Sequence, residues 1–153
     1  MSFPLPFIPK HDWHVGGRKF GAARPNGRKH AGCDLLADPG TEVIAVRSGV
    51  VLRSPYKFYL AKSGDWTYAL EVVNKDGKVV RYTEIDRTAN GIKTGVAVRE
   101  GETIGYVGAA KMLHFELYAG TENGPLTDRS RKGFQRRADL RDPTEFLATS
   151  SCR

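Results

Sequence analysis

Histidine and cysteine are scarce in this chain, with four of the first and two of the second among 153 residues. Two cysteines cannot build the disulfide framework of a small secreted scaffold, and Cys33 and Cys152 leave the redox compartment open. Cys33 reads as a small buried residue, because an extended backbone turns it away from its neighbour Asp34. No apolar run approaches the roughly 20 residues of a membrane-spanning helix, so no such span is expected. The opening segment MSFPLPFIPKHDWH has neither the basic start nor the apolar core of a signal peptide, and no export signal is read there. Internal repeats and low-complexity linkers are also missing.

What is present suits one soluble domain over 1–153, since 40% hydrophobic residues supply a real core and the length is cramped for two. The pattern is that of an all-β protein with a mainly antiparallel sheet. Glu42 to Arg53 reads as a strand pair or one bent strand. Thr67 to Asn74 and Lys78 to Ile85 flank an Asp76-Gly77 turn, a good hairpin signal. REGETIGYVG reads as a turn entering a short strand, MLHFELYAG as a further strand, and DPTEFLA as a short C-terminal helix with Asp142 ahead of Pro143. Residues 1–29 are rich in proline, glycine and basic side chains and read as an irregular extension over the sheet. Residues 30–120 form the core of the domain, and 121–153 a basic C-terminal extension.

Two short motifs carry metal-capable side chains. HAGCD places His30 and Asp34 where a loop or strand end can turn both toward one ion, with Gly32 expected to relieve crowding between them. In LHFEL the strand period puts Met112, His114 and Glu116 on one face and Leu113, Phe115 and Leu117 on the other, an apolar back and a functional front. Two histidines and a carboxylate are a common catalytic zinc set. Each motif alone is weak, because a lone histidine is usually a surface or core residue. His11 and His14 form an HxxH pair that could reach the metal as extra or inhibitory ligands or lie on the surface.

HAGCDLLADPGTEVIAVRSGVV and MLHFEL resemble the opening and closing signatures of the lysostaphin/LytM-like zinc metallopeptidases, family M23, over roughly Arg28 to Gly120. The resemblance implies a LytM-like sheet with His30, Asp34 and His114 as zinc ligands and water in the fourth position. It further implies metal-assisted hydrolysis of peptide bonds in bacterial peptidoglycan.

This chain departs from the family pattern at the helper residues. The first histidine of the family's HxH strand is Met112 here, and a thioether takes no proton at pH 7. The histidine of its YxH segment is Glu84, in RYTEI. A carboxylate beside activated water is a recognised general base, so Glu84 is a candidate replacement, against the plainer reading of a solvated glutamate. Tyr82, expected on the same strand face, could donate to the oxyanion. The loop Ala109 to Lys111 is shorter than the family's usual loop, which leaves the site more open.

The expectation is therefore a zinc-dependent peptidoglycan endopeptidase with Glu84 standing in for a helper histidine. The alternative is a catalytically degenerate module that binds zinc or wall and recruits or activates another hydrolase. A formal charge of +7, from 24 basic and 17 acidic residues, is concentrated in GRKFGAARPNGRKH and DRSRKGFQRRADLR. Anionic wall polymer fits these clusters better than nucleic acid, since no binding motif or interleaved aromatic platform accompanies them. A wall substrate lies outside the cytoplasm, so delivery is expected by a route without a signal peptide or by lysis, as for an injected toxin or effector, a phage lysin, or a fragment of a larger exported protein. A delivery or immunity partner is left open.

Overall fold

The computed structural model describes residues 1–153 and shows a nine-stranded, antiparallel sheet. The strands are β1 (Cys33–Leu36), β2 (Glu42–Ile44), β3 (Gly49–Leu60), β4 (Trp66–Asn74), β5 (Val79–Thr88), β6 (Ala97–Val98), β7 (Thr103–Val107), β8 (Met112–Tyr118) and β9 (Leu140–Arg141), followed by helix α1 (Thr144–Ala148). Their main path runs β1-β8-β5-β4-β3-β6, with β7 joining β2 to β5 and β9 added on β8. The β4–β5 hairpin turns at Asp76-Gly77, where the Asp76 carboxylate accepts the Lys78 N–H and Gly77 takes a φ of +89°. The five-residue helix starts as expected, with Asp142 accepting the Thr144 N–H at 2.9 Å. No helix is long and apolar enough to cross a membrane.

Two elements differ from the sequence reading. β3 does not end at Arg53 but runs on to Leu60 through Pro55. Its register against β4 shifts between Arg53 and Tyr56, and an irregularity of this kind is where a strand can hold a proline that cannot donate to the ladder. The N-terminal segment is irregular, with two short 3-10 turns, yet it does more than lie over the sheet. Phe3, Leu5 and Trp13 belong to the same hydrophobic core as Leu35, Leu70, Val80, Phe115 and Leu147. Main-chain bonds from Ser2 to Val46 and from Ile44 to Pro4 stitch this segment to β2 and the turn after it.

Strand alternation sorts β8 and β5 into two faces. Leu113, Phe115 and Leu117 with Val80 and Tyr82 enter the core. His114 and Glu116, with Arg81 and Thr83 beside them, are the polar counterparts on the other face, and they too are buried. They are roofed by residues of β3 and the C-terminal segment, with Tyr56 and Thr127 hydrogen-bonded to Arg81. This covered polar face holds the site.

Candidate metal centre

β1 pairs with β8 so that Asp34 stands directly opposite His114. His30 precedes β1, and its main chain pairs with Gly21 and Ala22 of the N-terminal segment. The three side chains meet: His30 Nε2 and His114 Nδ1 lie 3.1 Å apart, at 3.0 and 2.9 Å from Asp34 Oδ1. No other cluster of three such donors occurs in the chain. His14 is exposed and paired with Asp12, His11 is exposed on an open hollow with Asp38 and Lys111, and neither joins the cluster. Cys33 is wholly in the core, 3.7 Å from the Thr144 hydroxyl, and burial pushes its thiol up to about 11. Both cysteines are free.

The hydrogen bonds around the cluster set which ring nitrogens are free. His30 Nδ1 is 2.8 Å from the Lys19 carbonyl, which can only accept, so this nitrogen carries the proton and Nε2 offers a lone pair. His114 Nε2 donates to Glu116 at 2.7 Å, which leaves the lone pair of Nδ1 free. Two imidazole lone pairs and a carboxylate oxygen thus converge with no donor of their own among them, an arrangement that calls for a cation. A tetrahedron with bonds of about 2 Å has edges of about 3.3 Å. The donor separations suit an ion of zinc's size after small side-chain shifts. Without one, a proton must serve. Burial opposes charge on His114, but hydrogen bonds to Asp34 and Glu116 raise it to about 9. Asp34 also resists burial, and its bonds to His114 and His30 hold it well below the usual carboxylate range.

Glu116 was legible only as a member of the functional face, and its role is visible in the structure. It is fully buried, and against that burial Arg81 holds it far below the ordinary carboxylate range. Arg81 reaches its Oε1 at 2.8 and 3.0 Å, Arg136 its Oε2 at 3.2 Å, and Tyr118 donates a further bond. Arg136 and Arg137 of the C-terminal basic stretch are therefore largely structural, since Arg137 is paired with Asp139. Arg24 brings a guanidinium within 3.9 Å of Asp34 Oδ2. The spacing of Glu116 from His114 was readable in LHFEL, whereas the Lys19 carbonyl and Arg24 come from a segment with no periodicity to read.

Tyr82 and Glu84 do not share a face. Tyr68 pairs with Ile85 and Ala69 with Thr83, so Glu84 is an extra residue bulged out of β5, with a φ of +68°. The bulge resets the alternation. Tyr82 lies in the core against Phe115, with its hydroxyl accepting the Val46 N–H at 3.0 Å, and is not placed to donate to an oxyanion at the cluster. Glu84 is buried against Thr67, and the charges of His114 and Asp34 act on its carboxyl group. It is 8% exposed, not a solvated glutamate. Thr67 Oγ1 lies 3.1 Å from Glu84 and 3.0 Å from the Tyr59 carbonyl and has one proton to give. The contact is served by an ionised Glu84 accepting or by a protonated Glu84 donating, so the carboxyl group can gain a proton and stay anchored.

Gly32 acts differently from the expectation. A Cβ there would lie 2.3 Å from the Phe115 carbonyl oxygen, so its bareness lets β1 approach β8 and does not serve to separate His30 from Asp34. The short loop is a tight turn, with the Lys111 N–H bonded to Gly108 and Lys111 itself at φ +59°. Beside it runs an open groove of about 680 Å³ lined by Trp66, Tyr68, Asp86 and Gly108 among others.

Known proteins share this frame. A peptidoglycan DD-endopeptidase, ShyC, of Vibrio cholerae is 30% identical over 106 residues, which cover 65% of this chain but only 23% of that protein. The solved structure of LytU is 25% identical, with a TM-score of 0.61, over 90% of this chain and 89% of that one. The solution structure of lysostaphin, 24% identical, matches in fold with a TM-score of 0.64 over 87% of this chain and 49% of that one. Residues 28–126, well over half of the chain and inclusive of His30, Asp34, Glu84 and His114, match the profile of Peptidase family M23, and the chain belongs to that family.

Proposed function

We propose that this chain is a zinc-dependent endopeptidase that hydrolyses peptide bonds of bacterial peptidoglycan, with Glu84 in the place of a helper histidine. The convergence of His30 Nε2, His114 Nδ1 and Asp34 Oδ1, each oriented from behind or across the strand pair, carries this reading. The name of the Vibrio cholerae relative supports the substrate class. Zinc, when bound, supplies Lewis-acid polarisation of a carbonyl and brings the pKa of water down to about 7. His30, Asp34 and His114 hold the ion, and Lys19 and Glu116 fix the two rings. Glu84 takes the proton of the attacking water and returns it to the departing amine. The wall lies outside the cytoplasm, so the protein acts in the periplasm or beyond.

Metal analysis together with digestion of purified peptidoglycan tests this. One zinc per chain and new amino termini in the digest are expected, and alanine at His30, Asp34 or His114 removes both. A zinc-reconstituted protein that liberates no termini overturns the hydrolase. Met112, a thioether in the histidine position, favours a second reading: a wall-binding module that recruits another hydrolase. That protein would co-sediment with the wall, hold zinc and release nothing.

A further inference from the structure

Beside the metal centre lies a cleft of about 410 Å³ whose walls carry four cations and no carboxylate. Three stretches of chain supply them: Arg28 from the N-terminal segment, Lys57 from β3, and Arg129 and Arg136 from the C-terminal segment. Arg136 is occupied by Glu116, which is buried behind the cleft wall. Arg28, Lys57 and Arg129 are exposed and make no ion pair, and the Lys57 ammonium, now resting 5.0 Å from the centroid of the Trp66 ring, has to swing from it to meet an anion in the cleft. Like charges gathered around one concavity repel, and low-dielectric walls focus their field on whatever enters. Phe58 and Tyr59 supply such walls.

The cleft begins where the metal centre ends. Phe58 stacks on the His114 ring, with centroids 6.3 Å apart, and Arg136 bonds the carboxylate that orients that ring. An anion held here belongs to the molecule whose peptide bond is presented to His30, Asp34 and His114. We infer that this cleft is a substrate subsite that binds a free carboxylate of the wall peptide, through Arg28, Lys57 and Arg129. The inference rests on the peptidase reading and adds to it a requirement on the substrate's charge.

The test uses the full chain and two probes: a cross-linked peptide released from purified wall with its carboxylates free, and the same peptide with them converted to amides. Titration calorimetry on the metal-free protein reads binding without turnover, and cleavage is read on the zinc-loaded protein. Amidation is expected to weaken binding about tenfold or more, as loss of charge-assisted hydrogen bonds does. The combined Arg28→Gln, Lys57→Gln and Arg129→Gln variant loses this preference, and Lys93→Gln, which removes one charge outside the cleft, keeps it. The preference shrinks as salt rises from about 0.05 M to about 0.5 M.

Equal binding of both peptides overturns the subsite, as does a triple variant that still prefers the free acid. Displacement of the peptide by poly(glycerol phosphate) at a lower concentration than by the peptide itself overturns it too, and assigns the cleft to a phosphate polymer. A protein that discriminates the two peptides but cuts neither retains the subsite and loses the hydrolase.

Discussion

Burial pushes the Glu84 carboxyl above the usual carboxylate range, against the pull of His114 and Thr67. Its basic form therefore appears only as pH rises through that raised value, and turnover is expected to fall on the acid side earlier than an exposed glutamate would allow. In the fold, the sign is that of a protonated form stabilised below the unfolded pKa and lost as pH rises through the folded one. Glu84→Gln should lower kcat by about 100- to 10,000-fold with zinc content unchanged, and erase the acid limb of the pH profile. Measured with zinc saturating at every pH, a profile that keeps that limb removes Glu84 from the proton transfer. His114 gives a second pH dependence, in the metal-free protein. Its folded pKa of about 9 exceeds the unfolded value near 6.5, so the stability from its proton is complete below about pH 6.5 and is lost as pH rises through about 9. Zinc must displace that proton. Affinity measured in chelator-buffered titrations should climb about tenfold per pH unit up to about pH 9 and then level off, and a flat profile over that range would count against His114 as a ligand.

At the scale of the element, the site depends on the seam between β1 and β8, because Asp34 and His114 face each other across it. Gly32→Ala drives a methyl group into the Phe115 carbonyl, where backbone must give way. Overpacking of this kind costs about 1–3 kcal/mol, and the displacement separates two ligands, so both the urea midpoint and the zinc affinity should drop. A variant less stable but with unchanged zinc affinity would show that the strain is relieved on the far side of Gly32. The sequence carried much of this arrangement. The period of LHFEL separated Leu113 and Phe115 from His114 and Glu116, and DG marked the hairpin. Other features have no local signature. β1 and β9 have four and two residues, too short for a period to register. Ser54-Pro55 reads as a strand end, and β3 continues only because an irregular register leaves the proline without a ladder bond to make. The bulge at Glu84 is set by how β5 meets both β4 and β7, so strict alternation put Tyr82 on the wrong side.

Across the whole molecule, the two extensions are bound into the site and the core. The family profile spans residues 28–126, yet the main core cluster draws Phe3, Leu5, Trp13 and Leu147 from outside that span. Phe20 stacks on Phe134 at 4.7 Å, Lys19 holds the His30 ring, and Arg136 holds Glu116 behind His114. Loss of a large buried side chain costs about 2–5 kcal/mol, and a domain of this size has about 5–15 kcal/mol in all. A chain trimmed to 28–126 loses four such side chains at once and leaves Glu116 with one arginine fewer, beyond what the remaining sheet can absorb. It should show no cooperative transition in urea and no stoichiometric zinc binding, with Trp66 as its one remaining tryptophan reporter. If the trimmed chain unfolds cooperatively and binds zinc as the full chain does, the extensions are coverings after all, and the β1–β8 seam orders the ligands by itself.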